Sequence, residues 1–369
     1  MNYKIYYYPV LALAFLLFPV KGNTHENRDS YSFAVFKASQ EKGLFETDDV
    51  LEITLSGNVQ GLLADRSEHS GNFPLQLAYK REDSSLVTVP IMARTRGHFR
   101  KLKENCYYPP ILLQFSTGDS LKSSIFKKET KLKLAMPCKG DQFIIHEWLV
   151  YKVYNLLTPN SFRARLVKVR LVDNKSKKPV APFYGMLLEG EQQMAERNGT
   201  ISVKRSLRPE QTETSSFLTT AVFEYMIGNT DWSVQYQQNI KLISADSNSV
   251  PVTVPYDFDM SGIVNTPYAM PAEELNMRSV RERRYRGFCM GDMKKFDQTI
   301  ELFNNRKKDI YAVYSNCPLL DPKYISSTIK FLDDFYATIN NANAVKKDFG
   351  YPCDKNGTGN VVIRGLKEE

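Results

Sequence analysis

After its first 22 residues the chain has no apolar run approaching the roughly 20 residues a bilayer span requires. A bundle of membrane-spanning helices is excluded. Cysteine is scarce: Cys106, Cys138, Cys289, Cys317 and Cys353 are the whole set, and no two form a C-x-x-C pair. The spacing of a zinc site is therefore missing. Histidine is scarcer still, at four residues, and neither His98 nor His146 stands at ligand spacing from another. No Gly-rich phosphate loop is present, because the G-x-G pair of Gly357 and Gly359 falls in the polar tail. There is no internal repeat and no low-complexity tract. Basic residues outnumber acidic ones, 49 to 41, but they are spread along the chain with no single stripe. That distribution gives no footing to a nucleic-acid partner, and a solvated surface that favours anionic substrates accounts for it.

What is present begins with the leader. Lys4 supplies a positive start, Val10 to Val20 is almost wholly apolar, and Val20-Lys21-Gly22 stands before Asn23. Charge, a short apolar run and small residues are the order of a cleaved secretory signal. No Cys follows the run, which argues against lipid attachment. The expectation is an exported protein, periplasmic, cell-surface or secreted, with no membrane span once residues 1–22 are removed. An uncleaved N-terminal anchor is the alternative. In an oxidising compartment the thiols should pair where geometry permits. Cys106 precedes the strand-like ILLQF and Cys138 follows KLKLAMP, so neighbouring strands would bring these two together. The other three leave one pair and one thiol, with the pairing open.

Period-two alternation marks VLEITL, FPLQLAY and LVTVPIMA, separated by polar turns, and reads as an antiparallel meander over 48–100. RTRGHFR closes it; its arginines either line an anion-facing edge or are solvated. ILLQF and KLKLAM continue as strands. DQFIIHEWLVYKVYNLL reads as a helix, with Asp141 placed to cap it and Pro159 to stop it. RARLVKVRLV and FYGMLLEGE follow as strands, then SSFLTTAVFEYMIGN as a helix ending at Gly228-Asn229, and then NIKLI and VTVPYDFD as a hairpin. FDQTIELFNNRKKDIYAVY and YISSTIKFLDDFYATINNA predict C-terminal helices. This β, mixed, then α order is an α+β pattern. The segments are a signal (1–22), a polar stretch (23–47), a β-rich section (48–100), a main domain (101–353) and a polar tail (354–369).

The stretch from Ile227 to Gly262 carries the chemistry. An acid, Asp231, stands in a loop after a helix; Asn239 opens a strand; the partner strand ends in Asp257-Phe258-Asp259. A hairpin would bring Asp231, Asn239 and Asp257 to one end of a sheet. Phosphoryl transfer uses such a set: one carboxylate orients the attacking hydroxyl, while Asn and Asp oxygens hold Mg²⁺ beside the phosphates. Each residue also has an ordinary use. Asp231 could turn the chain, Asp257 and Asp259 could end a solvated strand, and Glu147 with Lys133 could form a surface pair worth ~0–1 kcal/mol. Trp232 and Phe258 read as packing.

RTRGHFR, HEWLVYKVYN, FYGMLLEGEQ, IGNTDW and PYDFD together resemble the CotH-like atypical kinases, named from spore-coat protein H, over most of the mature chain. IGNTD followed by DFD is the most specific part. The resemblance implies an atypical protein-kinase-like fold over 101–353, ATP and Mg²⁺ as cofactors, and a protein or surface-glycan hydroxyl as acceptor. It implies Asp231 as the catalytic acid and Asn239 and Asp257 as metal ligands. Asp259, where ordinary kinases have Gly, is a third candidate metal ligand beside them. Glu147 would pair a phosphate-touching lysine, Lys133 or Lys131, and Glu189 would lie near the adenine. The chain departs from the ordinary kinase pattern at Asn239, which stands eight residues after Asp231 where five is usual, and at Asn229-Thr230, where a His-Arg pair is usual. The competing readings are a non-catalytic binding or envelope-assembly protein and a carbohydrate-binding β module with a helical cap.

Overall fold

The period-two segments become seven strands: β1 (Leu51–Gly57), β2 (Phe73–Lys80), β3 (Leu86–Thr95), β4 (Ile111–Phe115), β5 (Lys131–Ala135), β6 (Ala164–Asp173) and β7 (Phe183–Leu188). The structure, a computed structural model, describes residues 42–176 and 180–355. The signal, most of the polar stretch 23–47 and the tail from 356 lie outside the described residues. The strands form a closed barrel in the order β1-β2-β3-β4-β5-β7-β6. Closure comes from β1 lying parallel to β6, with Leu51 opposite Val167 and Gly57 opposite Asp173. Alternate residues fill the interior: Leu55, Leu77, Val89, Leu113, Leu132, Leu134, Val167 and Leu187 are fully buried. Each such side chain contributes roughly 1.5–3 kcal/mol of hydrophobic stabilisation.

This barrel corrects the expected atypical protein-kinase-like fold, since a closed mixed barrel is not the kinase architecture. Strands on both sides of residue 100 hydrogen-bond within it, β3 to β4 through Ile91–Phe115 and Thr95–Ile111. The physical reason is closure: pairing β1 with β6 satisfies an edge that a free-standing N-terminal meander would leave open.

Among the described residues eight α-helices accompany the strands: α1 (Val59–Ala64), α2 (Asp119–Lys122), α3 (Gln142–Leu157), α4 (Glu191–Arg197), α5 (Thr214–Ile227), α6 (Asp297–Ser315), α7 (Pro322–Ile339) and α8 (Ala342–Phe349). Three further strands, β8 (Ile201–Val203), β9 (Ile240–Ser244) and β10 (Val252–Pro255), form a separate sheet in the order β10-β9-β8. Helix α3 packs on β6 and β7 on one side and on α5 and α6 on the other. Burial on nearly every face explains its weak amphipathicity, with Ile144, Trp148, Tyr151 and Tyr154 all in the core. Asp141 sits at its N-terminus, but its carboxylate accepts the Tyr184 N–H at 3.0 Å instead of a helix amide. Its start is therefore tied to β7 and not capped from within.

Two disulfides close. Cys106 bonds Cys138 beside the paired β4 and β5, and Cys289 bonds Cys353, which leaves Cys317 as the thiol. The bridges fit an exported protein. No helix among the described residues is long and apolar enough to cross a membrane.

Candidate functional site

The site assembles where α5 ends and the β9–β10 hairpin closes. Gly228 ends α5 at φ +70, a left-handed turn that a side chain would strain, and a Cβ there would stand 2.9 Å from the Val280 carbonyl oxygen. The turn releases Asn229, whose Oδ1 accepts the Asp231 N–H at 3.0 Å. The eight-residue gap to Asn239 is taken up by a small closed loop. Ser233 and Gln238 exchange backbone hydrogen bonds at 2.9 and 3.0 Å. Asn239 thereby returns to Asp231, and its Nδ2 donates to the Asp231 carbonyl at 2.7 Å and to Oδ2 at 3.0 Å. Gln238 Nε2 donates to the other carboxylate oxygen.

The hairpin brings in the second half. Ile240 pairs with Pro255 and the Tyr256 N–H donates to the Asn239 carbonyl at 3.0 Å, so Asp257 emerges beside Asn239. Gln237, Asn239 and Asp257 have φ of 49, 52 and 65, left-handed values uncommon outside glycine. Strain concentrated at one place accords with a functional site. The Asp257 N–H is held by the Tyr151 hydroxyl at 2.9 Å. Phe258 is buried against Tyr151 and Phe223, and Trp232 against Phe217, which makes both packing residues.

Asp259 is buried. Its Oδ2 accepts from Arg100 Nη1 at 3.3 Å and from the Tyr268 hydroxyl at 2.9 Å. Glu147, buried on α3, faces the same group. Desolvation raises its carboxyl well above the usual range, the charges of Asp259 and Asp257 raise it further, and Arg100 pulls against them. Asp231 is pushed up to about 6, first by burial and then by Asp257, with the Asn239 hydrogen bond opposing. Asp259 is raised by burial and by Asp257, against Arg100 and Tyr268. Burial alone would lower Arg100, but Tyr268, Asp259, Glu147 and Asp257 outweigh it and hold the guanidinium charged.

Glu147, Asp231, Asn239, Asp257 and Asp259 thus form one electrostatic group. The remaining candidates stand around or outside it. Lys133 is half-buried on β5 with its Nζ 4.9 Å from the centre of the Tyr256 ring, the residue before Asp257. Lys131 is exposed on the same strand. Glu189, at the end of β7, is engaged elsewhere: its oxygens take Arg197 at 2.9 and 3.0 Å and the Arg163 N–H at 2.9 Å. His146 is structural; its Nδ1 lies 3.2 Å from the Val264 carbonyl, and its ring stacks on Tyr324. Sequence reasoning had no means of choosing Arg100 among the arginines of RTRGHFR, or of seeing Tyr151 and Tyr268.

Among the described residues no group of three or more His, Cys, Asp and Glu makes a ready metal cluster. Mg²⁺ does not need one, since it is commonly held by one or two carboxylates with phosphate and water completing the shell. The donors present fit that habit. Asp257's carboxylate and Asn239's Oδ1 are hard oxygens, and the acids around them carry raised pKa values that a dication would relieve.

No family model and no curated protein sequence matches the chain. Among solved structures, a Helicobacter pylori proinflammatory kinase, CtkA, aligns with 69% of this chain and 94% of its own at 10% identity, with a TM-score of 0.38, an overlap that fixes neither fold nor activity.

Proposed function

We propose that this chain is an exported phosphotransferase that uses Mg²⁺–ATP and passes phosphate to a hydroxyl of a protein or surface glycan. The observation supporting this reading is the Asp257 carboxylate, set at positive φ and close enough to Asp231, Glu147 and Asp259 for its charge to raise the pKa of all three. Asp257 and the Asn239 Oδ1 would hold the dication, and Lys133, with Lys131 beside it, would meet the phosphates. Mg²⁺ when bound supplies neutralisation of phosphate charge. Asp231 orients the acceptor hydroxyl and takes its proton, a task suited by a carboxylate whose pKa lies near 6. Arg100 and Tyr268 hold Asp259 in place behind the site.

A second reading, a non-catalytic binding protein, is favoured by one feature: both Asp231 oxygens are already bound by the amides of Gln238 and Asn239. Calorimetry with ATP and Mg²⁺ separates the two. Wild type and Asp231→Ala should bind, Asp257→Ala should not, and only wild type should transfer phosphate. Absence of wild-type binding at millimolar nucleotide ends the phosphotransferase reading. Equal binding by Asp257→Ala ends the site assignment.

A further inference from the structure

The segment between β3 and β4 reaches the acids. Arg100 lies on a single helical turn, Phe99–Lys101. Its Nη1 is 3.3 Å from Asp259 and its Nη2 donates to the Met136 carbonyl at 2.6 Å. The neighbouring Phe99 ring lies 5.6 Å from that of Tyr268, whose hydroxyl binds the same Asp259 oxygen. The segment is fastened at its other end. Cys106 is bonded to Cys138, two residues beyond Met136, and the Tyr107 N–H donates to the Cys138 carbonyl at 3.2 Å. Arg66 gathers the carbonyls of Lys101 at 2.7 Å and Tyr107 at 2.8 Å. One short stretch after β5 therefore anchors both the guanidinium and the disulfide.

We propose that residues 99–107 are a clasp, that Arg100 is a positioning residue fixing Asp259 and the loop that carries Asp257, and that the Cys106–Cys138 disulfide sets the clasp. The dependence on the phosphotransferase reading lies only in taking a dication as the ion received. A planar guanidinium can bridge Asp259 and the Met136 carbonyl at once; an ammonium keeps the charge but not the two-point reach. Arg100→Lys therefore reports geometry and not charge.

The test uses the purified chain and Mn²⁺ as probe, with affinity read by calorimetry and thermal midpoints read in its absence. Arg100→Lys and the double variant Cys106→Ala/Cys138→Ala should each weaken Mn²⁺ binding about tenfold, the usual scale for losing a residue that supports a ligand. Combined, they should do no more than either alone, because both release the same contact. Cys289→Ala/Cys353→Ala should leave Mn²⁺ affinity unchanged. Multiplying losses, or wild-type affinity without the Cys106–Cys138 bond, overturns the clasp. If wild type binds no Mn²⁺ without nucleotide, the phosphotransferase reading is left to calorimetry with ATP and Mg²⁺, since phosphate completes the ion's shell there. The clasp is then decided by the thermal midpoints alone: non-additive shifts support it and additive shifts overturn it.

Discussion

Glu129 shows, away from the candidate site, what burying a carboxyl does to this protein. It is 5% exposed, accepts from Gln193 at 3.0 Å, and burial pushes its pKa up to about 7. The unfolded chain gives up this proton near pH 4.5, while the folded chain keeps it until about 7. Stability is therefore full below 4.5 and falls as pH rises through that window, by about 3 kcal/mol for this group. Glu129→Gln should remove this component and be more stable than wild type at pH 8 in urea unfolding. Parallel wild-type and variant pH profiles would refute the assignment. Asp231 gives a kinetic counterpart. Its carboxylate is a base only when deprotonated, so phosphate transfer should rise with pH through about 6 and level off above it. A rate that is flat from pH 5 to 8 would remove Asp231 from the role of base.

At the level of elements, the site depends on how α5 ends. The Gly228 carbonyl accepts the Gly262 N–H at 3.0 Å, which ties the turn before Asp231 to the loop after Asp259. Gly228→Ala should cost roughly 1–3 kcal/mol from the left-handed backbone alone, with crowding against the Val280 carbonyl adding to it. The same change should weaken Mn²⁺ binding, because both halves of the site hang from this turn. Chemical denaturation and calorimetry on the one variant check both effects; a stability loss with unaltered affinity would show that the turn does not position Asp231. The start of α5 offers a contrast. Glu213 caps it by accepting the N–H groups of Ser215 and Ser216, and this end is remote in sequence from the site loop.

For the whole molecule, the second disulfide carries the constraint. Cys289 and Cys353 are 64 residues apart and enclose α6, α7 and α8. Closing a loop of that length restricts the unfolded chain by about 4 kcal/mol in the chain-entropy account. Cys289→Ala/Cys353→Ala should lose stability on that order by calorimetric unfolding; a change below ~1 kcal/mol would contradict the account. The barrel contributes the other large share through its closed interior. Leu77→Ala, fully buried there, should cost about 2–5 kcal/mol, since a closed barrel has little freedom to collapse onto the void.

Period-two alternation marked the inward faces of β1, β2 and β3, and Gly228, Pro159 and the Ile227–Gly262 pattern marked two helix ends and a hairpin. These are local signals, set by side chains within a few residues of each other. The Cys106–Cys138 bridge was readable for the same reason, as its cysteines flank consecutive strands. What tertiary structure decided lies at long range. Barrel closure joins Leu51 to Val167, and neither β1 nor β6 carries a mark of its parallel partner. Arg100 meets Asp259 across 159 residues, and three arginines in one short segment look alike until the fold chooses. Asp141 has a cap's position and sequence, yet β7 offers its carboxylate a better donor. Glu189 is bound by Arg197, a partner that no local pattern around it announces. In each case a side chain's partner is set by which surfaces meet when the core closes, and that is a property of the packed chain and not of any window along it.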